Sequence, residues 1–364
     1  MPRKRNAVLV PLIAILAGFV LGAIVVLATG RDPLVMFSAM FQAATGVNPA
    51  TGGYNPRLVG EFLVQVMPIM LTGLSVAFAF RSGLFNIGAE GQLIAGSTAS
   101  IGVALFVHAP PGLHQLLILL AGMAAGGLWG ALPGWLKARF NVHEVVVTIM
   151  MNYVAFYLNN WMVLKVYGTI DGIKTAKFPE SAVLRDSFLS SLTNGSQFHW
   201  GFIPVLLAVG MSWFLVEKTT FGFGLRAVGF NKEGARYAGM KVEASIVWSM
   251  AIAGAFAGLA GSIITIGTFS FGRVLPGMEG YGMDGIAVAL VGANTAVGVF
   301  LAAILFGALK AAQTIMQVNS IPKEIASIIQ ASIVLFIAMK LGIDYLLARL
   351  GRRKDSADGE GHQA

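Results

Sequence analysis

The residues able to do chemistry in this chain are few, and most are sunk in apolar surroundings. Glu90, Glu144 and Asp284 are carboxylates inside or at the edge of long apolar runs, and with them stand the polar side chains Asn86, Gln92, Thr148 and Asn152. Each is expensive in hydrocarbon unless it faces protein or a water-filled path, so each is a functional suspect by default. Glu144, Thr148 and Asn152 recur every four residues and Asn159 follows seven later, which puts all four on one helical face. Amides donate and accept at once. Such a stripe either glues helices together or lines a passage for hydroxylated, uncharged ligands. Lys310, Gln313 and Gln317 form a weaker stripe, in which Lys310 also has the length to snorkel.

Nothing supplies a catalytic set. The five histidines (His108, His114, His143, His199 and His362) are expected in loops or the tail, with no H-E-x-x-H and no nucleophile–base spacing. No G-x-x-x-x-G-K-S/T phosphate loop occurs, so the chain does not hold ATP in the P-loop manner and any ATP is hydrolysed by another subunit. Zero cysteines exclude structural disulfides and thiolate metal sites. The expectation is a protein that is not an enzyme and needs neither metal nor cofactor.

The elements that position these residues are membrane helices. At 56% hydrophobic and 12% charged, with mean hydropathy +0.75 and repeated apolar stretches of roughly 20 residues, the chain reads as an all-α polytopic membrane protein of about ten transmembrane helices. Forty-five glycines in 364 residues let helices approach through small-residue contacts, as a compact bundle requires. The expected segments are 7–28, 58–80, 84–107, 115–135, 145–164, 202–216, 245–267, a short 283–293, 296–318 and 325–341. The first follows Arg3, Lys4 and Arg5, and its apolar stretch is too long for a signal peptide. One transmembrane domain is expected over 1–354, followed by a polar, disordered tail at 355–364.

Two of the junctions are broken by glycine and polar groups: Arg81 to Gln92, and Phe271 to Gly285 ahead of the short segment. Broken segments in roughly corresponding places of two halves point to an inverted-repeat transporter with its pathway at the breaks. The alternative is glycines serving helix crossing, with Glu90 in a local salt bridge.

The stretch 217–243 is polar and mostly basic between two long apolar runs, and reads as a docking surface for a soluble partner. Asn231 is placed as an N-cap, Glu233 sits in the first turn where the helix dipole favours an anion, and Gly239 closes the C-terminus. Gly222, Gly224 and Gly229 are expected to turn the backbone tightly after the preceding membrane helix. Arg226 and Arg236 supply cationic donors to the surface. A plain charged connection is the rival reading.

Charge sets the orientation. With the N-terminus inside, Arg3, Lys4, Arg5, Arg81, Lys137, Arg139, the basic residues of 217–243 and those of 340–354 are cytoplasmic. Arg31, Arg57, Lys165, Lys174, Lys177, Arg185, Arg273 and Lys323 lie outside, so both termini are expected inside. The polar segments 31–57 and 165–200 then face outward, and the second is long enough for a small lobe. The pI near 9.8 reflects this topology, and no nucleic-acid partner is expected.

Four ordered motifs, FRSGLFNIGAEGQLIAGS, HEVVVTIMMNYVAFYL, GLRAVGFNKEGARYAGMKV followed by AGAFAGLAG, and YGMDGIAVALVGANTAVG, resemble permease subunits of bacterial ABC importers. The resemblance is to the branched-chain amino acid and ribose permease superfamily, in its simple-sugar and nucleoside branch, and covers about 58–341. It implies that the loop 222–239 couples to a cytoplasmic ATPase. It also implies a second related permease, as homo- or heterodimer, an extracytoplasmic substrate-binding lipoprotein, and residence in the bacterial inner membrane. The branch's sugar permeases carry an acidic residue near 85–88, where this chain has Asn86-Ile87-Gly88, which favours the nucleoside side. The rivals are a permease for branched-chain amino acids and a stand-alone secondary transporter, for which Glu90, Glu144 and Asp284 are the candidate relay acids.

Overall fold

The computed structural model describes residues 3–339. The basic residues of 340–354, the tail 355–364 and the end of the segment 325–341 lie outside them. In chain order the helices are α1 (Arg3–Ala28), α2 (Pro33–Thr45), α3 (Pro56–Arg81), α4 (Ala89–Phe106), α5 (Leu113–Phe140), α6 (Glu144–Trp161), α7 (Ser187–Leu192) and α8 (Phe202–Lys218). They continue as α9 (Thr220–Phe230), α10 (Lys232–Tyr237), α11 (Val242–Ile263), α12 (Tyr281–Val291), α13 (Ala296–Val318) and α14 (Glu324–Ala338). Each of the ten expected segments contains a helix. Among the described residues, five helices are long and apolar enough to cross a membrane, six if α8 and α9 form one bent span. The protein is an all-α, multi-pass membrane protein.

Two compact units divide the described residues, the first made of those up to 37 with those from 313 onward, the second of 38–312. In the first, α1 packs on α14, with Ile329 and Ile333 seated where Gly22 and Gly18 have no side chain.

The second unit is built around α11, which packs on α3, α4 and α5. Lipid gives helices no hydrophobic drive to associate, so close backbone approach has to supply the cohesion. At the α5–α11 crossing a Cβ on Gly254 would lie 2.2 Å from the Gly126 carbonyl oxygen, and one on Gly258 2.1 Å from that of Gly122. Hydroxyl pairs, Ser100–Ser262 at 2.8 Å and Ser97–Thr265 at 2.6 Å, tie α4 to the α11 side of the same layer.

α11 ends in a π-helical turn, Ile264–Phe269, whose carbonyls are left for other partners. The segment 168–201 takes them. The Leu184 N–H donates to Ile266 O at 3.0 Å, and the Arg185 guanidinium donates to Gly267 O at 3.0 Å and Thr268 O at 2.7 Å. β1 (Lys174–Lys177) pairs antiparallel with β2 (Phe271–Arg273), the one sheet among the described residues. His199 is fully buried here: its Nδ1 accepts from the Gly201 N–H at 3.1 Å, so the proton sits on Nε2. Burial, followed by the nearby Arg185 charge, pushes its pKa down to about 4.

Three local expectations change. The segment expected at 84–107 begins at Ala89, because Gly83 turns at φ 73 and the Asn86 side chain accepts the Gly88 N–H at 3.1 Å, closing a loop. The polar segment 31–57 contains α2. Asp32 starts that helix by accepting the Leu34 N–H at 2.8 Å, ahead of Pro33 at the first helical position. Finally, Gly222, Gly224 and Gly229 do not turn the chain; all three lie within α9. The turn is at Thr219, where α8 and α9 meet at 71° and the Thr219 hydroxyl accepts the Gly222 N–H at 3.0 Å. Gly222 and Gly229 instead allow close approach to the carbonyls of Leu215 and Arg81.

Candidate functional site

α12 is only 11 residues long, which at ~1.5 Å per residue covers about half of a ~30 Å hydrocarbon core. Its first residue lies beside the middle of α3, where the Thr72 hydroxyl donates to Tyr281 O at 2.8 Å. The positive end of a helix dipole and its unpaired N–H groups are thereby placed inside the membrane, and an anion answers them. Glu90, in the first turn of α4, accepts the Gly280 N–H at 2.9 Å on one oxygen and the Gly282 N–H at 2.5 Å on the other. The two broken junctions of the sequence are thus one junction in space.

Behind it, Asn86 and Gln92 exchange amide bonds at 2.9 and 3.0 Å, and Asn86 also donates to the Ser75 hydroxyl at 3.2 Å. The stripe on α6 faces the same wall. Asn152 accepts the Gly91 N–H at 2.8 Å and donates to Ile87 O at 3.0 Å. Thr148 is buried and back-bonds to Glu144 O, while Asn159 accepts from the Thr98 hydroxyl at 2.9 Å. Glu144 stands apart from the junction, paired with Lys137 at 3.1 Å. Asn86, Glu90, Gln92, Thr148 and Asn152 are therefore all buried and partnered.

Half-buried groups front this wall; Asp284 and Lys310 stood out in the sequence and Arg273, Glu279 and Tyr281 lie in the marked stretch Phe271 to Gly285, whereas Gln65 was missed. Asp284 pairs with Lys310 at 2.6 Å, each side chain 19% exposed. The Lys310 ammonium sits 3.9 Å from the Tyr281 ring centroid, and the Tyr281 hydroxyl donates to Gln65 at 3.2 Å. Arg273 pairs with Glu279 at 2.8 Å and covers the Phe269 ring. The Lys310 ammonium is held by Asp284 and the Tyr281 ring. The signal for it was the lone cation in an apolar run together with Asp284, two charges with a reason to meet. The cluster offers paired donors and acceptors with aromatic faces, the means of holding a polar, uncharged molecule.

At the start of α11 the loop has a different character. Asn231 is the N-cap of α10, accepting the Gly234 N–H at 2.9 Å. Gly239, at φ 82, closes it: its N–H donates to Arg236 O at 2.9 Å, and the Met240 N–H to Ala235 O at 3.0 Å. Arg236 bonds Glu233 at 3.1 Å and Glu243 at 2.6 Å, and Arg226 shares Glu217 with Arg81. Arg226 and Arg236 are thus engaged by neighbouring carboxylates, while Lys232 and Lys241 are in no ion pair among the described residues. The barest aromatic side chains of the loop are Phe230 and Tyr237, 95% and 97% exposed, which sequence reasoning did not single out.

A buried helix terminus at a broken junction, fronted by polar groups, in a multi-pass helical protein with a structured loop at one end, defines a membrane transport permease. The chain belongs to the family described as permease components of the branched-chain amino acid transport system, whose model matches residues 58–338. It is 46% identical to the guanosine ABC transporter permease protein of Bacillus subtilis, over 97% of this chain and 99% of that one. A nucleoside ABC transporter permease of Lactococcus lactis is 36% identical over 96% of this chain and 95% of its own. A glucose ABC transporter permease of Haloferax volcanii is 33% identical over 90% and 86%. No solved structure matches. The chain is a transport permease of the ATP-binding cassette class.

Proposed function

We propose that the chain forms the path for nucleosides or simple sugars in a bacterial ABC importer. The observation that carries this reading is its full-length likeness to a guanosine permease. The half-buried cluster of Tyr281, Gln65, Asp284 and Lys310 supports it, since such groups suit hydroxyls and heterocyclic edges. Asn86, Glu90, Gln92, Thr148 and Asn152 hold this wall in place, and Asp284 meets the path. The two broken junctions are corresponding parts of an inverted repeat.

The complete transporter has a second related permease, a cytoplasmic ATPase, where ATP is hydrolysed, and an extracytoplasmic lipoprotein that delivers substrate. It sits in the bacterial cell membrane with both termini of this chain cytoplasmic. Closure of the ATPase is transmitted through α9 and α10, with Phe230 and Tyr237 as aromatic anchors and Arg226, Asn231, Glu233, Arg236 and Gly239 shaping the surface.

The test is uptake of labelled guanosine into proteoliposomes holding the chain with its partner permease, ATPase and binding protein. ATP is expected to drive uptake in the presence of ionophores, and excess unlabelled nucleoside to compete. Gradient-driven uptake without ATP would instead establish a secondary transporter. The description of the matching family favours branched-chain amino acids as a second reading; competition by leucine but not by nucleosides would select it.

A further inference from the structure

A groove on the opposite flank of α4 has no part in the transport reading. It encloses about 390 Å³ between α4, α5, α6 and the π-helical turn Met162–Tyr167, and exists because Ala95, Ala99 and Ala125 are small where Leu128, Leu158 and Met162 form the walls. The polar groups in it are already engaged. The Tyr167 hydroxyl donates to Thr98 O at 2.9 Å, the Thr98 hydroxyl to Ile94 O at 2.8 Å and Asn159 at 2.9 Å, and the Trp129 indole N–H to Met151 O at 3.3 Å. A hydroxylated solute would lose its hydration here and find no replacement bonds. An alkyl chain loses nothing.

The second observation lies on α5. Ala125, Leu128, Leu132, Trp135 and Arg139 follow one another at spacings of three and four, so the wall of the groove continues along one helix face to the helix end. Leu128, Leu132 and Trp135 on that face are exposed. Arg139 ends the stripe, about 10 Å beyond Leu132 at ~1.5 Å per residue. It is exposed and in no ion pair among the described residues, and its guanidinium lies 6.0 Å from the centroid of the Phe140 ring. Its neighbour Lys137 is already neutralised by Glu144. An apolar groove, then an interfacial Trp, then a cation is the order in which a phospholipid presents its acyl chain, glycerol and phosphate. This end of α5 is also the loop end, because Ala138 packs against the cluster of Val228, Ala235 and Val242. By the positive-inside rule that end faces the anionic cytoplasmic leaflet.

We infer that this groove binds one acyl chain of an anionic phospholipid whose phosphate is held by Arg139. The test uses the full-length chain with Trp129 kept and Trp135, Trp161, Trp200, Trp213 and Trp248 changed to Phe. It is reconstituted into phosphatidylcholine nanodiscs doped with lipid brominated in the acyl chain. Brominated phosphatidylglycerol is expected to quench Trp129 at a mole fraction about fivefold lower than brominated phosphatidylcholine, the equivalent of the ~1 kcal/mol that one basic residue contributes near an anionic surface. Arg139→Gln is expected to abolish that preference, and Ala99→Leu, which fills the groove, to reduce quenching by both lipids. Equal quenching in the parent, a preference that survives Arg139→Gln, or a Trp129 shielded from both lipids by a protein partner would each overturn the assignment. If the single-Trp background does not fold, native mass spectrometry of the otherwise unaltered chain decides. A retained phosphatidylglycerol lost in Arg139→Gln supports the site, and equal retention overturns it.

Discussion

At the α4–α12 junction each polar group is answered within the chain: Glu90 by two backbone N–H groups, Asp284 by Lys310, Asn86 by Gln92. In the loop of α9 and α10 the two arginines are also answered, by Glu217, Glu233 and Glu243, but two aromatic rings, Phe230 and Tyr237, stand almost wholly bare. The membrane gives the first region no alternative, since an unanswered polar group in hydrocarbon costs several kcal/mol. Water gives the second region no reason to display aromatic surface unless something else covers it. The junction is therefore finished by the chain itself, and on the proposed reading the loop is finished by a partner. Breaking the first should cost folding, and breaking the second should cost assembly.

The largest effect is expected at Glu90. Glu90→Ala leaves the Gly280 and Gly282 N–H groups buried and unpaired, at roughly 1–3 kcal/mol each. The expected result is a large fall in thermal stability and in yield of the monodisperse protein in detergent. Glu90→Gln, which keeps an acceptor, should fall between that variant and the parent. A melting temperature unchanged in Glu90→Ala would show that the contact does not organise the junction.

The complementary experiment is Phe230→Ser with Tyr237→Ser. Buried aromatic anchors are commonly worth ~2 kcal/mol or more apiece in an interface, so the pair should lower ATPase co-purification and ATP-driven uptake by well over tenfold. The melting temperature of the isolated chain should not move. Full association by the double variant would place the ATPase contact elsewhere.

A third region tests whether stability can be lost away from both. His199 has a pKa depressed to about 4 in the fold, against about 6.5 in an unfolded chain. The unfolded state therefore binds the extra proton between those values, and stability is present in full above pH 6.5 and declines as pH falls towards 4. The loss amounts to roughly 3 kcal/mol at most. Melting followed across that window should show the decline in the parent and a flatter profile in His199→Gln.

How much of this was legible in the sequence depends on where each partner lies. The helix 296–318 was read to the residue because Thr295 and Asn319 bound a run that is apolar but for Lys310, Gln313, Thr314 and Gln317. Asn231 and Gly239 were legible as caps because capping is a matter of three or four neighbouring residues. Glu90 was visible as a suspect, but its partners are backbone donors 190 and 192 residues away, and backbone groups leave no mark on side-chain patterning. Lys310 and Asp284 were each noticed, yet nothing local says that α12 and α13 face each other at those positions. Phe230 was not singled out, because nothing in the local sequence separates a bare ring from one that packs inward. The start of α2 was a different failure: Asp32-Pro33 is a legible helix start, hidden by the Gly- and Asn-rich sequence that follows.

The smallest effect is expected at the loop's arginines, and it sharpens the contrast with the rings beside them. From charge alone, Arg226 and Arg236 looked like the docking contacts. In the structure Arg226 is paired with Glu217, while Arg236 is held between Glu233 and Glu243, whose carboxylates raise the guanidinium pKa. Such exposed pairs contribute little individually, and a neutralised cation steers an acidic partner less than a free one. Arg226→Glu with Arg236→Glu should therefore weaken ATPase association by only about two- to fivefold, chiefly through a slower on-rate that is most evident at low salt. Binding kinetics at two ionic strengths would measure it. A loss as deep as that of the aromatic double variant, and independent of salt, would mean that the partner displaces these internal pairs and that charge carries the interface.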